Sequence, residues 1–360
     1  MAAYPGLVGA GLALLALLAL SLLAVLPAPF AASRTVEPLQ VARRSACTGT
    51  LELRRAVGWL PVEVTAGEPV GDDRVTVPVP AEGVGTATVR YPIPTTRRGV
   101  LPVGPLELRR RGVGGLAERT ARVGDQVHVE VLPRTLPLRG LPRGVRRGQV
   151  GADERAEHGG TDLVGLHEYV PGDDLRRLHW ATSARTGTLM VRDDADPSHP
   201  HVVVVLDDRA DAYVDPDDLE EAVDLVASLV AAAGDAGHPV HLRSVSGAID
   251  LRSDGAAEGR VDRQAAALRA ALTTVGPAPD VAALAPLAVR DLDVAVLVTG
   301  AGRRVDDLLL EAGRASYGVL LHVDPAPART VEVVGRVTRL RGPRAEDLVG
   351  AWDATVAVGR

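Results

Sequence analysis

The chain of 360 residues contains no lysine and no asparagine, one cysteine, one phenylalanine, and isoleucine only at Ile93 and Ile249. Its basic charge is therefore carried by arginine alone, 40 residues against 46 Asp and Glu. The net charge of −6 excludes a chain-wide nucleic-acid binder that works by phosphate neutralisation, so any basic patch is local. Cys47 alone permits no intrachain disulfide and no cysteine-based zinc site, and nothing requires an oxidising compartment. Aromatic residues make up only 2% of the chain but hydrophobic residues 46%, which excludes disorder as the dominant state and predicts cores of small Ala and Val side chains. The abundance of Ala, Val, Gly, Arg and Asp follows GC-rich codons and describes a genome before it describes a function.

Length predicts two or three domains, each with enough apolar residues for a core. Residues 1–33 carry no Asp, Glu, Lys or Arg, and Leu7 to Leu26 is an apolar run interrupted only by Ser21. At about 1.5 Å rise per residue the run spans roughly 30 Å, the hydrocarbon thickness of a bilayer. A transmembrane helix is expected rather than a buried core helix. A cleaved signal peptide would want a positive n-region and small residues at the cleavage positions; here the run follows no Lys or Arg and precedes Pro27, Pro29 and Phe30. Arg34, Arg43 and Arg44 come after it, so the positive-inside rule predicts a single-pass protein of the cell membrane with its body in the cytoplasm. Cys47 lies too far beyond the run, past Arg43 and Arg44, to be a lipoprotein cysteine and reads as a plain thiol.

From about Leu39 to Val131 short alternating stretches recur between Gly and Pro, among them Leu51 to Leu53, Pro61 to Thr65, Arg74 to Val79, Thr86 to Tyr91, Leu106 to Leu108 and Val127 to Leu132. In the last, Val127, Val129 and Val131 interleave with His128 and Glu130, the period of a strand with one buried face. Such spacing predicts a small antiparallel β-sandwich with an interaction or spacer role. Between Leu132 and Ala152 the acids vanish and Arg134, Arg139, Arg143, Arg146 and Arg147 alternate with Pro and Gly. That is linker composition, either solvated or laid against anionic headgroups.

The densest stretch runs from Gly165 to Gly187. Pro171 and Gly172 make a turn, and Asp173 or Asp174 caps a short helix with Leu175 and Leu178 on one face and Arg176, Arg177 and His179 on another. Trp180 reads as a core anchor. The order "EYVPGDDLRRLHWATSARTGTLMVRD", followed by "HVVVVLD", resembles the bacterial domain of unknown function 58 family: Glu168, Tyr169, Pro171, Gly172, Asp173, Arg176, Trp180, Ala184 and Arg185 match its signature, with Asp174 beside them. His167 stands where that family has arginine, and His179 where it has aspartate. Upstream, "RRGVLPVGPLELRRRGVGGL" is similar through Arg97, Arg98, Gly99, Gly104, Pro105 and Leu106. The resemblance implies no enzymatic activity. It implies partnership with a MoxR-type AAA+ ATPase and with von Willebrand factor A proteins, and a pair of membrane helices of which this chain shows one.

After Pro200 the pattern changes to strands alternating with helices. Val202 to Leu206 suits a strand buried on both faces, and Leu219, Ala222, Val223, Val226, Leu229, Val230 and Ala233 recur at helical spacing after the start signal Asp215-Pro216. Strands at Val240 to Val245, Ala248 to Arg252, Val294 to Thr299 and Gly318 to Val323 then alternate with helices around Asp262 to Thr273, Val305 to Ala312 and Arg344 to Val356, which predicts a mostly parallel sheet between helices. This resembles the von Willebrand factor A fold, whose metal site begins Asp-x-Ser-x-Ser. Asp207 matches, but Arg209 and Asp211 hold the serine positions and Thr299 with Gly300 replaces a later Asp-Gly. Arginine has no lone pair to offer a cation, so no bound divalent metal is expected, Asp207 and Asp211 being degenerate candidates. Gly300, Ala301 and Gly302 lack the Lys, Ser or Thr of a phosphate loop and read as a turn.

The expected division is an anchor over 1–33, a β-sandwich-like domain over 34–135, a linker with the signature motif over 136–200, and an α/β domain over 201–360. The first expectation is a non-enzymatic, membrane-anchored partner or adaptor of a MoxR-type ATPase, without cofactor and without nucleic acid. A metal-dependent binding module on Asp207 and Asp211 is the second, and a hydrolase built on Asp173, His179 and Ser183 the third.

Overall fold

The structure, a computed structural model, describes residues 5–25, 30–55, 63–79, 85–142, 163–169, 178–194, 202–253, 261–279, 284–287, 293–326 and 329–356. The chain divides into two compact units, Met1–Arg134 with Leu272–Thr274, and Thr135–Ala271 with Val275–Arg360.

The first unit opens with helix α1 (Pro5–Val25). Leu7, Val8, Leu12, Leu14 and Leu15 are all more than 60% exposed on it, the opposite of a core helix, and its length and composition suffice to cross a membrane. Ten strands follow: β1 (Phe30–Glu37), β2 (Gln40–Ala42), β3 (Cys47–Arg55), β4 (Glu63–Val70), β5 (Asp73–Val77), β6 (Gly85–Ile93), β7 (Gly99–Val103), β8 (Leu106–Arg111), β9 (Glu118–Val123) and β10 (Val127–Leu132). They make a sheet of order β1-β3-β6 and a second of order β2-β10-β7-β4-β8-β9 in which β5 also pairs with β4. Every pairing is antiparallel except β10 with β2, which is parallel. Strand β1 begins at Phe30, inside the stretch assigned above to the anchor. Leu51 and Leu53 from β3 meet Leu106, Leu108, Val129 and Val131 from the larger sheet in one core, the alternation expected of two half-buried sheets.

Gly49 on β3 faces the Tyr91 ring of neighbouring β6, where a Cβ would lie 2.6 Å from the phenol oxygen. Gly49→Ala is therefore expected to destabilise this unit by about 1–3 kcal/mol, the cost of overpacking a filled site, read as a lowered urea midpoint; an unchanged midpoint would mean Tyr91 moves aside freely.

The second unit contains β11 (Leu163–Glu168), α2 (Trp180–Thr186), β12 (Met190–Asp194), β13 (Val202–Leu206), α3 (Pro216–Asp235), β14 (Val240–Ser244), β15 (Asp250–Ser253), α4 (Val261–Thr274, apart from its last three residues, which belong to the first unit), β16 (Val294–Gly300), α5 (Asp306–Ala312), β17 (Tyr317–Val323), β18 (Thr330–Val334), β19 (Val337–Gly342) and α6 (Ala345–Val356). Strands β11 and β12 form a separate antiparallel pair around α2. The main sheet has order β15-β14-β13-β16-β17-β19-β18; its five inner strands are parallel, and β15 and β18 close the edges antiparallel. Helix α3 starts as its sequence requires: Asp215 accepts from the Asp217 amide at 2.9 Å and Asp218 accepts from the Asp215 amide at 3.2 Å, with Pro216 opening the helix. Helices α3 and α6 pack on each other and on the inner strands, while α5 packs on β16 and β17 and shares one core with Val203, Val205, Leu297 and Leu320, and β13 and β16 are buried along their whole length.

Two readings of the sequence need correction here. The hairpin β18–β19 was missed, its turn marked only by Gly335 at φ 61°. The start of the arginine-rich linker is fastened to this unit: the Leu136 amide donates to Ser228 Oγ at 2.8 Å, the Arg139 amide to Asp353 Oδ1 at 2.9 Å, and Trp352 Nε1 to the Gly140 carbonyl at 2.9 Å. Arg143, Arg146 and Arg147 lie outside the described residues.

Candidate functional site

Two places carry the polar chemistry of the second unit. The first is the signature motif. Glu168 ends β11 and is exposed, and the half-buried Tyr169 donates its amide to the Leu189 carbonyl at 2.8 Å. Pro171, Gly172, Asp173, Asp174, Arg176 and Arg177 lie outside the described residues. The described helix begins later than expected, capped by His179, whose Nδ1 accepts from the Thr182 amide at 3.2 Å. Trp180 is not a core anchor. It is 68% exposed, and the buried neighbour is Leu178, which bridges to the buried Val191. Arg185 and Leu189 are exposed on the same helix and the turn after it. Ser183 Oγ donates to the His179 carbonyl at 3.0 Å and accepts from the Met190 amide at 2.8 Å, so both capacities of that hydroxyl go into fastening α2 to β12.

The second place is the carboxyl edge of the main sheet, where the strand register sets residues level across β13, β16, β17 and β19. Asp207, one residue past β13, is buried with Arg209 and Thr299. Arg209 grips it in fork geometry, Nε to Oδ1 at 2.8 Å and Nη2 to Oδ2 at 2.7 Å, while Thr299 Oγ1 donates to Oδ2 at 2.7 Å. The remaining Arg209 nitrogen, Nη1, reaches Asp307 in the first turn of α5 at 2.9 Å. The Asp207 carboxylate, then Asp307, raises the guanidinium's pKa against the effect of burial. A divalent metal does not fit this donor set: the cation position beside Asp207 is filled by the guanidinium. Asp211 is exposed and holds Arg303 at 2.9 Å instead of turning to Asp207. Among the described residues no group of three or more His, Cys, Asp or Glu is arranged to hold a metal ion.

Neighbouring Asp208 is also buried; its Oδ1 accepts from the Ser246 amide at 2.9 Å, and Oδ2 from the Ser246 hydroxyl. Further along the edge, Arg341 pairs with Asp324, and Arg339 Nη2 donates to Nδ1 of buried His322 at 2.7 Å. Because arginine only donates, the His322 ring proton sits on Nε2. Burial, with Arg339 and Arg341 alongside, pushes the ring pKa down to about 4. The unfolded chain takes up this proton near pH 6.5 and the folded chain only near 4, so the contribution is intact above about 6.5 and is lost as pH falls toward 4. Stability is expected to drop by roughly 3 kcal/mol over that interval. Urea titrations at pH 7 and pH 4.5 should show it, and His322→Gln should flatten it; equal flattening absent, the loss belongs to other groups. Ser246, Asp307, His322, Arg339 and Arg341 escaped sequence reasoning: His322 and Arg341 stand near strand ends and Ser246 just past one, but Asp307 lies in the first turn of α5 and Arg339 inside β19.

Residues 166–285 match the model of a protein family of unknown function, DUF58. The match takes in the signature motif and Asp207, Asp208, Arg209 and Ser246; Thr299, Asp307 and His322 lie beyond it. A curated relative, described as uncharacterized protein YeaD of Bacillus subtilis (strain 168), is 28% identical over 145 residues, covering 40% of this chain and 35% of that protein. The chain thus spans about a third of the length of that relative. The upstream residues similar to the family's pattern, Arg97 to Leu106, fall outside the DUF58 match.

Proposed function

We propose that this is a membrane-anchored, non-enzymatic interaction protein, held by α1 as a single pass with its body in the cytoplasm, whose α/β unit is of von Willebrand factor A type and whose partner is a MoxR-type AAA+ ATPase. The observation that carries the reading is Trp180: a large aromatic within the DUF58-matching segment, exposed beside Arg185 and Leu189, has the composition of an interface hot spot. The Asp207–Arg209–Asp307 set, in which Asp207 and Arg209 are buried, supports it, since a built-in cation removes the need for a metal in holding the sheet edge. Orientation rests on Arg34, Arg43 and Arg44. The first and second become buried in the β-sandwich, but insertion precedes folding and counts their charge in the nascent chain.

Crosslinking of the tagged full chain in membranes, followed by detergent extraction, tests the partner. An AAA+ ATPase should be recovered with wild type and with Leu310→Ala, an exposed site on α5, and at least tenfold less with Trp180→Ala. Failure to recover any AAA+ ATPase with wild type ends the reading. A C-terminal reporter active only in the cytoplasm tests the topology.

A further inference from the structure

The hairpin β8–β9 carries five arginines, at 109, 110, 111, 119 and 122, against Glu107 and Glu118, a local charge of +3 in a chain of −6. Its register sets Arg110 directly opposite Arg119. Arg110 is buried and Arg119 exposed. Glu118 answers the other row, taking Arg109 at 3.2 Å and Arg111 at 3.4 Å. The loop joining the two strands, Gly112 to Ala117, holds no charge and presents Leu116 at 49% exposure.

This loop packs against the end of α1. Ser21, Ala24 and Val25 are the buried residues of that helix and Leu20 is half-buried, while Leu7, Leu12, Leu14, Leu15, Leu22 and Leu23 are exposed. Gly112 comes so near that a Cβ would lie 2.5 Å from the Ser21 carbonyl oxygen. Ser21 is about one turn, roughly 6 Å along the axis, before Val25. A loop touching Ser21 therefore lies level with the last turn of the span, at the depth of headgroups and upper acyl chain.

We propose that the β8–β9 tip is a membrane-docking surface, with Leu116 entering the interface and the exposed Arg109, Arg111 and Arg119 binding the phosphates of anionic phospholipid. The inference rests on α1 spanning the bilayer. An apolar tip ringed by arginine on one side of a span end fits the interface, where the apolar part meets acyl chain and guanidiniums meet phosphate. Docking fixes the sandwich against the leaflet instead of leaving it on a free tether.

The test uses the full chain in nanodiscs of phosphatidylcholine with or without phosphatidylglycerol, bearing a nitroxide at Leu116→Cys or, separately, at Leu14→Cys; Cys47 is buried, and wild type controls for its labelling. Collisions with dissolved oxygen report lipid and collisions with a water-soluble nickel chelate report solvent. With phosphatidylglycerol, the oxygen-to-nickel ratio at 116 should exceed that in pure phosphatidylcholine at least threefold, and Arg109→Gln/Arg111→Gln/Arg119→Gln should abolish the difference. A label at 116 that is aqueous in both lipids while the label at 14 is in lipid overturns the docking surface and leaves the anchor standing. An aqueous label at 14 overturns the anchor itself. A ratio at 116 that is indifferent to lipid charge and to the triple substitution overturns recognition of anionic lipid.

Discussion

Arg209→Ala is expected to destabilise the α/β unit by about 3–5 kcal/mol, because it leaves the Asp207 carboxylate buried without its counter-charge. Asp207 and Arg209 are each about 1% exposed at the side chain, and Thr299 supplies only one neutral hydrogen bond in the guanidinium's place. Arg209→Lys should recover part of the loss: an ammonium restores the charge but cannot span both carboxylate oxygens and Asp307 together. Removing both charges with Asp207→Asn/Arg209→Met should cost clearly less than Arg209→Ala alone, since the expense lies in the unpaired ion more than in the missing pair. Pulse proteolysis in urea on the full chain in detergent measures all three. Were magnesium at millimolar concentration to raise the wild-type midpoint, the guanidinium would not be filling the cation position, and the non-metal reading of this edge would fall.

How much of this edge the sequence revealed follows from where its partners sit. Asp207 and Arg209 are two residues apart at the end of an all-apolar strand, and their joint departure from a metal-site pattern was legible. Thr299, 92 residues from Asp207, was legible as a strand-end position of the same site, and the parallel register of β13 with β16 makes it a hydrogen-bond donor there; Asp307, on α5 and 98 residues from Arg209, had no such signal. The inner strands and α3 were legible because burial on both faces, or on one stripe, imposes a period on the side chains. Strand β18 was not: Val331 and Val333 alternate with Glu332 yet remain exposed on an edge, so no core enforces the pattern. Trp180 was misread because large aromatics are usually buried; the buried residue is Leu178, which the apolar face of the expected helix already marked. The parallel pairing of β10 with β2 was hidden for another reason: β2 is three residues long, too short to carry a period.

Glu68→Ala is expected to cost the β-sandwich about 3–5 kcal/mol, through a cluster with no sequence signature, since a glutamate between Gly67 and Pro69 reads as a surface residue. Glu68 on β4 is fully buried and receives Arg34 Nε from β1 at 2.9 Å and the Tyr91 hydroxyl from β6 at 2.5 Å. The carboxylate thus belongs to one sheet and both of its donors to the other, so the cluster ties the two layers at one point. Arg34 Nη1 continues to the Asp125 carbonyl at 2.8 Å. Burial, then the carboxylate, raises the Tyr91 pKa, which keeps the phenol a donor. Gly104 completes the enclosure: a Cβ there would lie 2.7 Å from Glu68 Oε1 and 2.9 Å from Arg34 Nη2, so backbone closes over the pair where a larger residue would force it apart. Taking away the carboxylate strands a guanidinium and a phenol inside an apolar sandwich. Glu68→Gln keeps an acceptor for one of them and should cost less, roughly 1–3 kcal/mol, while Arg34→Met/Glu68→Met, which strands no ion, should be milder than Glu68→Ala. If the three variants proved equally destabilising, the loss would come from packing at β4, and the ion pair would not be what joins the sheets.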